Sequence, residues 1–128
     1  MSRAEKCYKI NEILFEANND FEPKMVNLLL NVEKNIEYVE SNTMNVNIII
    51  SVFEKSKEYP FYLRINLTGM FIIIPSENNI NYEKNAIAIL FPYIRSIITN
   101  ITSQANVQPL ILPPININKL IEDNINNK

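Results

Sequence analysis

A chain of 128 residues and 14.9 kDa, 47% of it apolar, is long enough for one globular domain over residues 1–128 and too short for two ordinary ones. Twelve basic against fourteen acidic side chains leave a net charge of -2, which supplies no field to attract nucleic acid or an anionic membrane. There is no histidine and a single cysteine, Cys7, so common zinc spacings, Ser-His-Asp triads, Cys-His dyads and internal disulfides are excluded by residue supply; neither an enzyme nor a cofactor is implied.

The amino terminus interrupts its apolar residues with charges every few positions, unlike a secretion signal. The longest apolar run, Ala86 to Ile94, is short and carries Pro92, well under the roughly 18 residues that cross a bilayer. The expectation is a soluble cytoplasmic protein with no direct membrane insertion.

Tyr8 to Glu16 reads as a first strand closed by an Asn18-Asn19-Asp20 turn. From Val26 onward, Val26, Leu28, Leu30 and Val32 alternate with Asn27, Leu29, Asn31 and Glu33, the period that puts side chains on opposite faces of a second strand. Val46 to Phe53 groups Val46, Ile48, Ile50 and Val52 on one face, with Ile49 and Phe53 making the other face partly apolar. From Phe61, the residues Phe61, Leu63, Ile65 and Leu67 face one way and Tyr62, Arg64, Asn66 and Thr68 the other. The alternation is lost after Gly69, the only glycine. This fits a bulge or bend leading into a fully covered stretch before Pro75 ends the pairing. Four sequential strands with polar connections suggest an antiparallel meander.

The period then changes. Ile94, Ile97, Ile98, Ile101 and Ala105 follow helical spacing, with Pro92 suited to the first turn of the helix, or kinking it if helix also forms upstream, and Arg95, Ser96, Thr99, Asn100 and Ser103 on its other face. Gln108 to Ile115 must be extended and irregular around Pro109, Pro113 and Pro114. A second helix carries Ile117, Leu120, Ile121 and Ile125, with Asn116 as its cap. The fold class is therefore α+β, a four-stranded antiparallel sheet followed by two helices.

Such a domain cannot bury all its Ile, Leu and Phe. Leu29, Ile49, Phe53 and the Ile97/Ile101 stripe are the candidates for surface held back for a partner. Leu110-Ile111-Leu112, extended between prolines, cannot bury all three side chains on one side; it would either wall an apolar groove able to take an extended peptide or plug the end of the core.

Leu90-Phe91-Pro92-Tyr93-Ile94-Arg95, then Ile98, then Pro109-Leu110-Ile111-Leu112-Pro113-Pro114-Ile115-Asn116-Ile117 and Leu120, resembles without a gap the carboxy-terminal signature of the SecB export chaperone family, LFPYAR followed by PPLNLxPVNF. Phe61 to Ile65 running to Gly69-Met70-Phe71 looks like the family's last strand, and Glu12-Ile13-Leu14-Phe15-Glu16-Ala17 is similar to its first. The resemblance implies subunits paired edge to edge and joined as a dimer of dimers, a homotetramer, through the long helix, here by Ile94, Ile97, Ile98 and Ile101. It implies ATP-independent holding of unfolded, export-destined polypeptides in apolar grooves, here by Phe71, Phe91, Leu110, Leu112, Ile115, Ile117 and Leu120. It also implies docking of the zinc-bearing tail of the SecA motor on Glu12 and Glu16. A third acidic position of that patch matches Arg64, and the family's glycine after the long helix is replaced near Asn106. The altered patch leaves open a SecB-like chaperone dedicated to one client, such as the antitoxin of a toxin-antitoxin pair, or a non-chaperone adaptor with the same fold.

Overall fold

The computed structural model describes residues 8–40, 42–73, 81–105, 107–112 and 116–126. Four strands, β1 (Tyr8–Ala17), β2 (Leu30–Val39), β3 (Thr43–Val52) and β4 (Phe61–Ile72), precede two helices, α1 (Tyr82–Gln104) and α2 (Ile117–Asn126). Cys7, Pro75, Asn106, Pro113, Pro114 and Ile115, and the side chain of Ile125, lie outside the described residues.

The two central strands follow their sequence pattern closely. Met44, Val46, Ile48, Ile50 and Val52 of β3 and Phe61, Leu63, Ile65 and Leu67 of β4 are buried, while the residues between them keep partial access to solvent. All strand pairs are antiparallel, as expected, but the sheet order is β1-β4-β3-β2. The meander therefore extends only through β2, β3 and β4, and β1 crosses over to lie beside β4 in a Greek-key arrangement. Residues 18–29 are too long for a tight hairpin between β1 and β2. The predicted turn at Asn18 forms, but it anchors the end of β1 to the β3–β4 connection: its N–H donates to Pro60 O (2.9 Å) and its Nδ2 to Tyr59 O (3.0 Å).

Several strand boundaries and the place of Gly69 differ from the sequence reading, and β3 itself runs Thr43–Val52 rather than Val46 to Phe53. Val26 to Leu29 lie outside the sheet because β3 ends at Val52, opposite Leu30; beyond it the chain turns at Phe53 (φ 63°), whose N–H reaches back to Leu29 O at 2.8 Å. Gly69 makes no bulge. It pairs in register with Tyr8 and Val46, and the strand irregularity falls in β1 between Ile10 and Glu12. Helix α1 approaches closely there: a Cβ on residue 69 would lie 2.8 Å from Leu90 Cδ2, so any larger residue would make that side chain shift. Nor is the stretch beyond it fully covered, because Met70 and Ile72 are exposed.

α1 starts ten residues before Pro92, capped by Asn81, whose side chain accepts from Lys84 N at 3.0 Å. Pro92 sits in the helix interior on its exposed side rather than in the first turn. Ala86, Ile87, Leu90, Phe91, Ile94 and Ile98 close the core over β3 and β4, and α2 adds Ile117 and Ile121 beside β2. By length and composition alone α1 could cross a membrane, yet its apolar stripe is packed against the sheet.

Candidate functional site

The segment between the helices is fixed by side chains of α1. Thr102, fully buried, donates its hydroxyl to Ile98 O (2.8 Å) and accepts from Leu110 N (2.8 Å); Thr99 Oγ1 donates to Leu110 O (3.0 Å). Extended geometry then alternates the three apolar side chains. Leu112 enters the core at 4% exposure, Ile111 points out at 75%, and Leu110 is half-buried. Asn116 caps α2 as expected, accepting from Lys119 N at 3.1 Å.

The expected binding residues divide accordingly. Leu112, Phe91 and Ile117 are buried in the core of the subunit. Phe71, Leu110 and Leu120 are half-buried at the margin of the core, and Ile115 lies outside the described residues. Along α1, Ile94 and Ile98 are fully buried within the subunit, against the sheet; helical spacing identified an apolar stripe but not what covers it. Ile97 and Ile101 are half-buried, and the large exposed apolar side chains of the helix are Ile89 and Tyr93.

Three further surfaces come from the topology. Because β1 pairs antiparallel with β4, Ile10 lies opposite Leu67 and Ile13 opposite Ile65, on the core side of the sheet. α1 crosses β3 and β4 and leaves these two side chains 45% and 38% exposed; Tyr93 of α1 meets Tyr8 of the same strand at 4.6 Å between tilted rings. β1 is also an edge strand. At the opposite end, Leu29, Leu30, Phe53 and Tyr62, together with the polar side chains Asn31, Ser51, Glu54 and Lys55, line a groove of about 450 Å³. Phe53 holds a left-handed backbone that a bulky residue rarely adopts, stacked on Tyr59 (5.1 Å) and edge-on to Phe61 (5.1 Å). Of the surplus apolar residues, Leu29 lines this groove, Phe53 is mostly buried beneath it, and Ile49 is half-buried on the outer face.

The third surface is the outer face of the sheet. Glu12 and Glu16 share it, but each is paired within the subunit: Arg64 binds Glu12, and Lys55 Nζ lies 3.6 Å from Glu16 while sitting over the Tyr62 ring. Beside them the amides of Asn35, Asn47, Asn66 and Asn11 link all four strands, with Asn47 Nδ2 donating to Asn66 Oδ1 at 2.6 Å and Asn11 Nδ2 to the same oxygen at 3.0 Å. Near the start of α1, Tyr38 donates to Glu83 Oε2 (2.6 Å), and this bond, with some burial and the carboxylate's charge, raises the phenol above its usual range. Among the described residues no group of three or more Cys, Asp or Glu side chains is placed to hold a metal ion.

This arrangement can be compared with known proteins. The family model described as "Preprotein translocase subunit SecB" matches residues 10–128. The chain belongs to the SecB family. It is 31% identical over 128 residues to the protein-export protein SecB of Buchnera aphidicola subsp. Acyrthosiphon pisum (strain Tuc7), covering 91% of this chain and 87% of that protein. It is 36% identical over 101 residues to the uncharacterized protein MJ0357 of Methanocaldococcus jannaschii, covering 72% of this chain. The chain spans 64% of that archaeal relative and 56% of the SecB of Rickettsia bellii (strain OSU 85-389). In three dimensions it is similar to the Mycobacterium tuberculosis SecB-like chaperone Rv1957, solved with a ChAD peptide from the Rv1956 HigA1 antitoxin. That match has a TM-score of 0.65 at 15% identity and covers 86% of this chain and 88% of the other, so it is the fold that is shared.

The SecB signature is legible in sequence, since Leu90 to Arg95 and Pro109 to Ile117 carry it. Sequence reasoning placed Thr99 on the polar face of α1 and assigned no role to Thr102. Two hydroxyls three residues apart beside a proline segment were the available signal.

Proposed function

We propose that this SecB-family chain is an ATP-independent holdase of the cytoplasm that binds unfolded polypeptides along apolar surface and catalyses no reaction. The observation that carries the reading is the uncovered core-side face of β1, where Ile10 and Ile13 remain exposed although their strand neighbours are buried. A family member with that strip and a free strand edge is suited to pair edge to edge with a second copy and to join two such pairs through Ile89, Tyr93, Ile97 and Ile101 of α1, giving a homotetramer. The groove beside Phe53 and the margin formed by Phe71, Leu110 and Leu120 then supply contacts for an extended apolar client, which many weak contacts hold without sequence specificity. The test is suppression of aggregation of several unrelated unfolded proteins without nucleotide, together with native mass measurement. A monomer of 14.9 kDa that protects none of them would refute the proposal.

A second reading, dedication to a single client, is favoured by the pairing of Glu12 with Arg64 and of Glu16 with Lys55. Both carboxylates that would receive a SecA tail are already compensated. The HigA1 antitoxin peptide bound by Rv1957 gives the class of client to try first. Calorimetry with a SecA zinc-tail peptide separates the readings: binding favours general export, and its absence alongside protection of one client favours dedication.

A further inference from the structure

The contacts that hold Leu110 have a geometry found in β-ladders. In an antiparallel pair, a residue that exchanges both backbone bonds directs its N–H and C=O toward the same neighbour. Leu110 does this toward a helix: its N–H donates to Thr102 Oγ1 at 2.8 Å and its C=O accepts from Thr99 Oγ1 at 3.0 Å. The threonines are three positions apart, so their hydroxyls lie on one side of α1, one turn from each other. Thr102 is fully buried, and its own proton is directed to Ile98 O at 2.8 Å, which leaves its oxygen oriented to accept.

Such a rung sets register, and register decides exposure. A slip of one residue in an extended segment exchanges the two faces. It would turn Ile111 into the core and push Leu110 and Leu112 out. The hydroxyls oppose one slip: bringing Pro109 to Thr102 places a residue with no N–H against a buried acceptor. The opposite slip would bring the N–H of Ile111 there and is opposed by burial, since it takes Leu112, 4% exposed, out of the core.

We infer that Thr99 and Thr102 are positioning residues, a two-hydroxyl rung that fixes the register of the inter-helix segment so that Ile111, rather than Leu110 or Leu112, is the side chain this segment presents to a bound polypeptide. The choice of Ile111 as a contact rests on the holdase reading; the rung itself does not.

The experiment compares wild type, Thr99→Val, Thr99→Ser and Thr102→Val by amide hydrogen exchange at Leu110 and by affinity for a reduced, carboxymethylated polypeptide that cannot refold. Loss of one ordinary hydrogen bond corresponds to a change on the order of tenfold. Thr99→Val is expected to speed Leu110 exchange by about that factor and to weaken client binding several-fold, with a lowered urea midpoint that still shows a cooperative fold, and Thr99→Ser is expected to restore all three. Ile111→Asp is expected to weaken binding without altering exchange. Thr102→Val loses a buried partner and is read by exchange only if its midpoint shows that it folds. Unchanged Leu110 exchange in Thr99→Val, or failure of Thr99→Ser to restore it, overturns the rung even if wild type binds the client. Wild type that leaves the client unbound overturns the holdase reading and the role of Ile111, while the exchange result still decides the rung.

Discussion

Replacing Gly69 by alanine sets two opposed effects against each other. In open strand the change should stabilise by about 0.5–1 kcal/mol, because glycine gives up more backbone freedom on folding than alanine. Here the added methyl would sit 2.8 and 2.9 Å from Leu90 Cδ2 and Cδ1 and 3.0 Å from Phe71 Cε2. Comfortable carbon contacts begin near 3.5 Å, so Leu90 must withdraw by roughly 0.7 Å. Leu90 is fully buried among core residues and has nowhere to withdraw without displacing them. Overpacking of that kind costs about 1–3 kcal/mol. The steric term wins, and Gly69→Ala is expected to destabilise by about 1 kcal/mol, with an upper limit near 2.5. Urea denaturation at one fixed protein concentration measures it, since an assembling chain changes apparent stability with concentration. A double-mutant cycle locates the cause: Leu90→Ala alone should cost about 2–5 kcal/mol, and clearly less in the Gly69→Ala background, where the methyl fills part of the vacated space. If Gly69→Ala stabilises the protein, or if the two costs simply add, the close approach of α1 does not explain the glycine.

Leu112→Ala should lower stability by about 2–5 kcal/mol and Ile111→Ala by no more than about 0.5, so equal midpoints for the two variants would contradict the alternation of the inter-helix segment. Arg64 and Glu12, with side chains 34% and 52% exposed, should show a coupling of at most about 1 kcal/mol in a cycle of Arg64→Gln and Glu12→Gln; persistence of that coupling in 1 M salt would argue against a screened surface pair. Ile13→Glu places a charge in the uncovered strip of β1 and should reduce the assembled mass in native mass spectrometry while the subunit stays folded by circular dichroism; an unchanged mass would remove β1 from the interface. The Tyr38 phenol titrates above its usual range chiefly because it donates to Glu83, so its contribution to stability is complete below the ordinary tyrosine value of about 10 and is lost as pH rises through the folded value. The stability gap between wild type and Tyr38→Phe, followed by denaturation against pH, should therefore narrow on the alkaline side; a gap that stays constant as the phenol ionises would show that the bond to Glu83 is not its source.

Local periodicity was sufficient for the central sheet. Val46 to Val52 and Phe61 to Leu67 alternate in sequence and alternate in burial, because a strand sends successive side chains to opposite faces whatever lies beyond them. Helical spacing found the carboxy-terminal half of α1 and the start of α2, and Asn116 caps α2 because its side chain meets an amide three residues on, a relation internal to the segment. The signature around Leu90 to Arg95 and Pro109 to Ile117 was enough to indicate the family.

Tertiary structure decided the rest, for reasons that no short window contains. β1 left the expected meander because its neighbour was set by a long connection and by the anchoring of Asn18 on the β3–β4 link. Gly69 answered to Leu90, a residue of another element, and Asn81 rather than Pro92 started α1. Above all, the sequence determined that apolar side chains exceed what one small domain can cover, but only the packing of α1 across β3 and β4 decided which ones stay uncovered. It enclosed Ile94, Ile98 and Leu112 and left Ile10, Ile13 and Ile111 in solvent, because hydrophobicity belongs to the residue whereas coverage depends on what the fold brings over it.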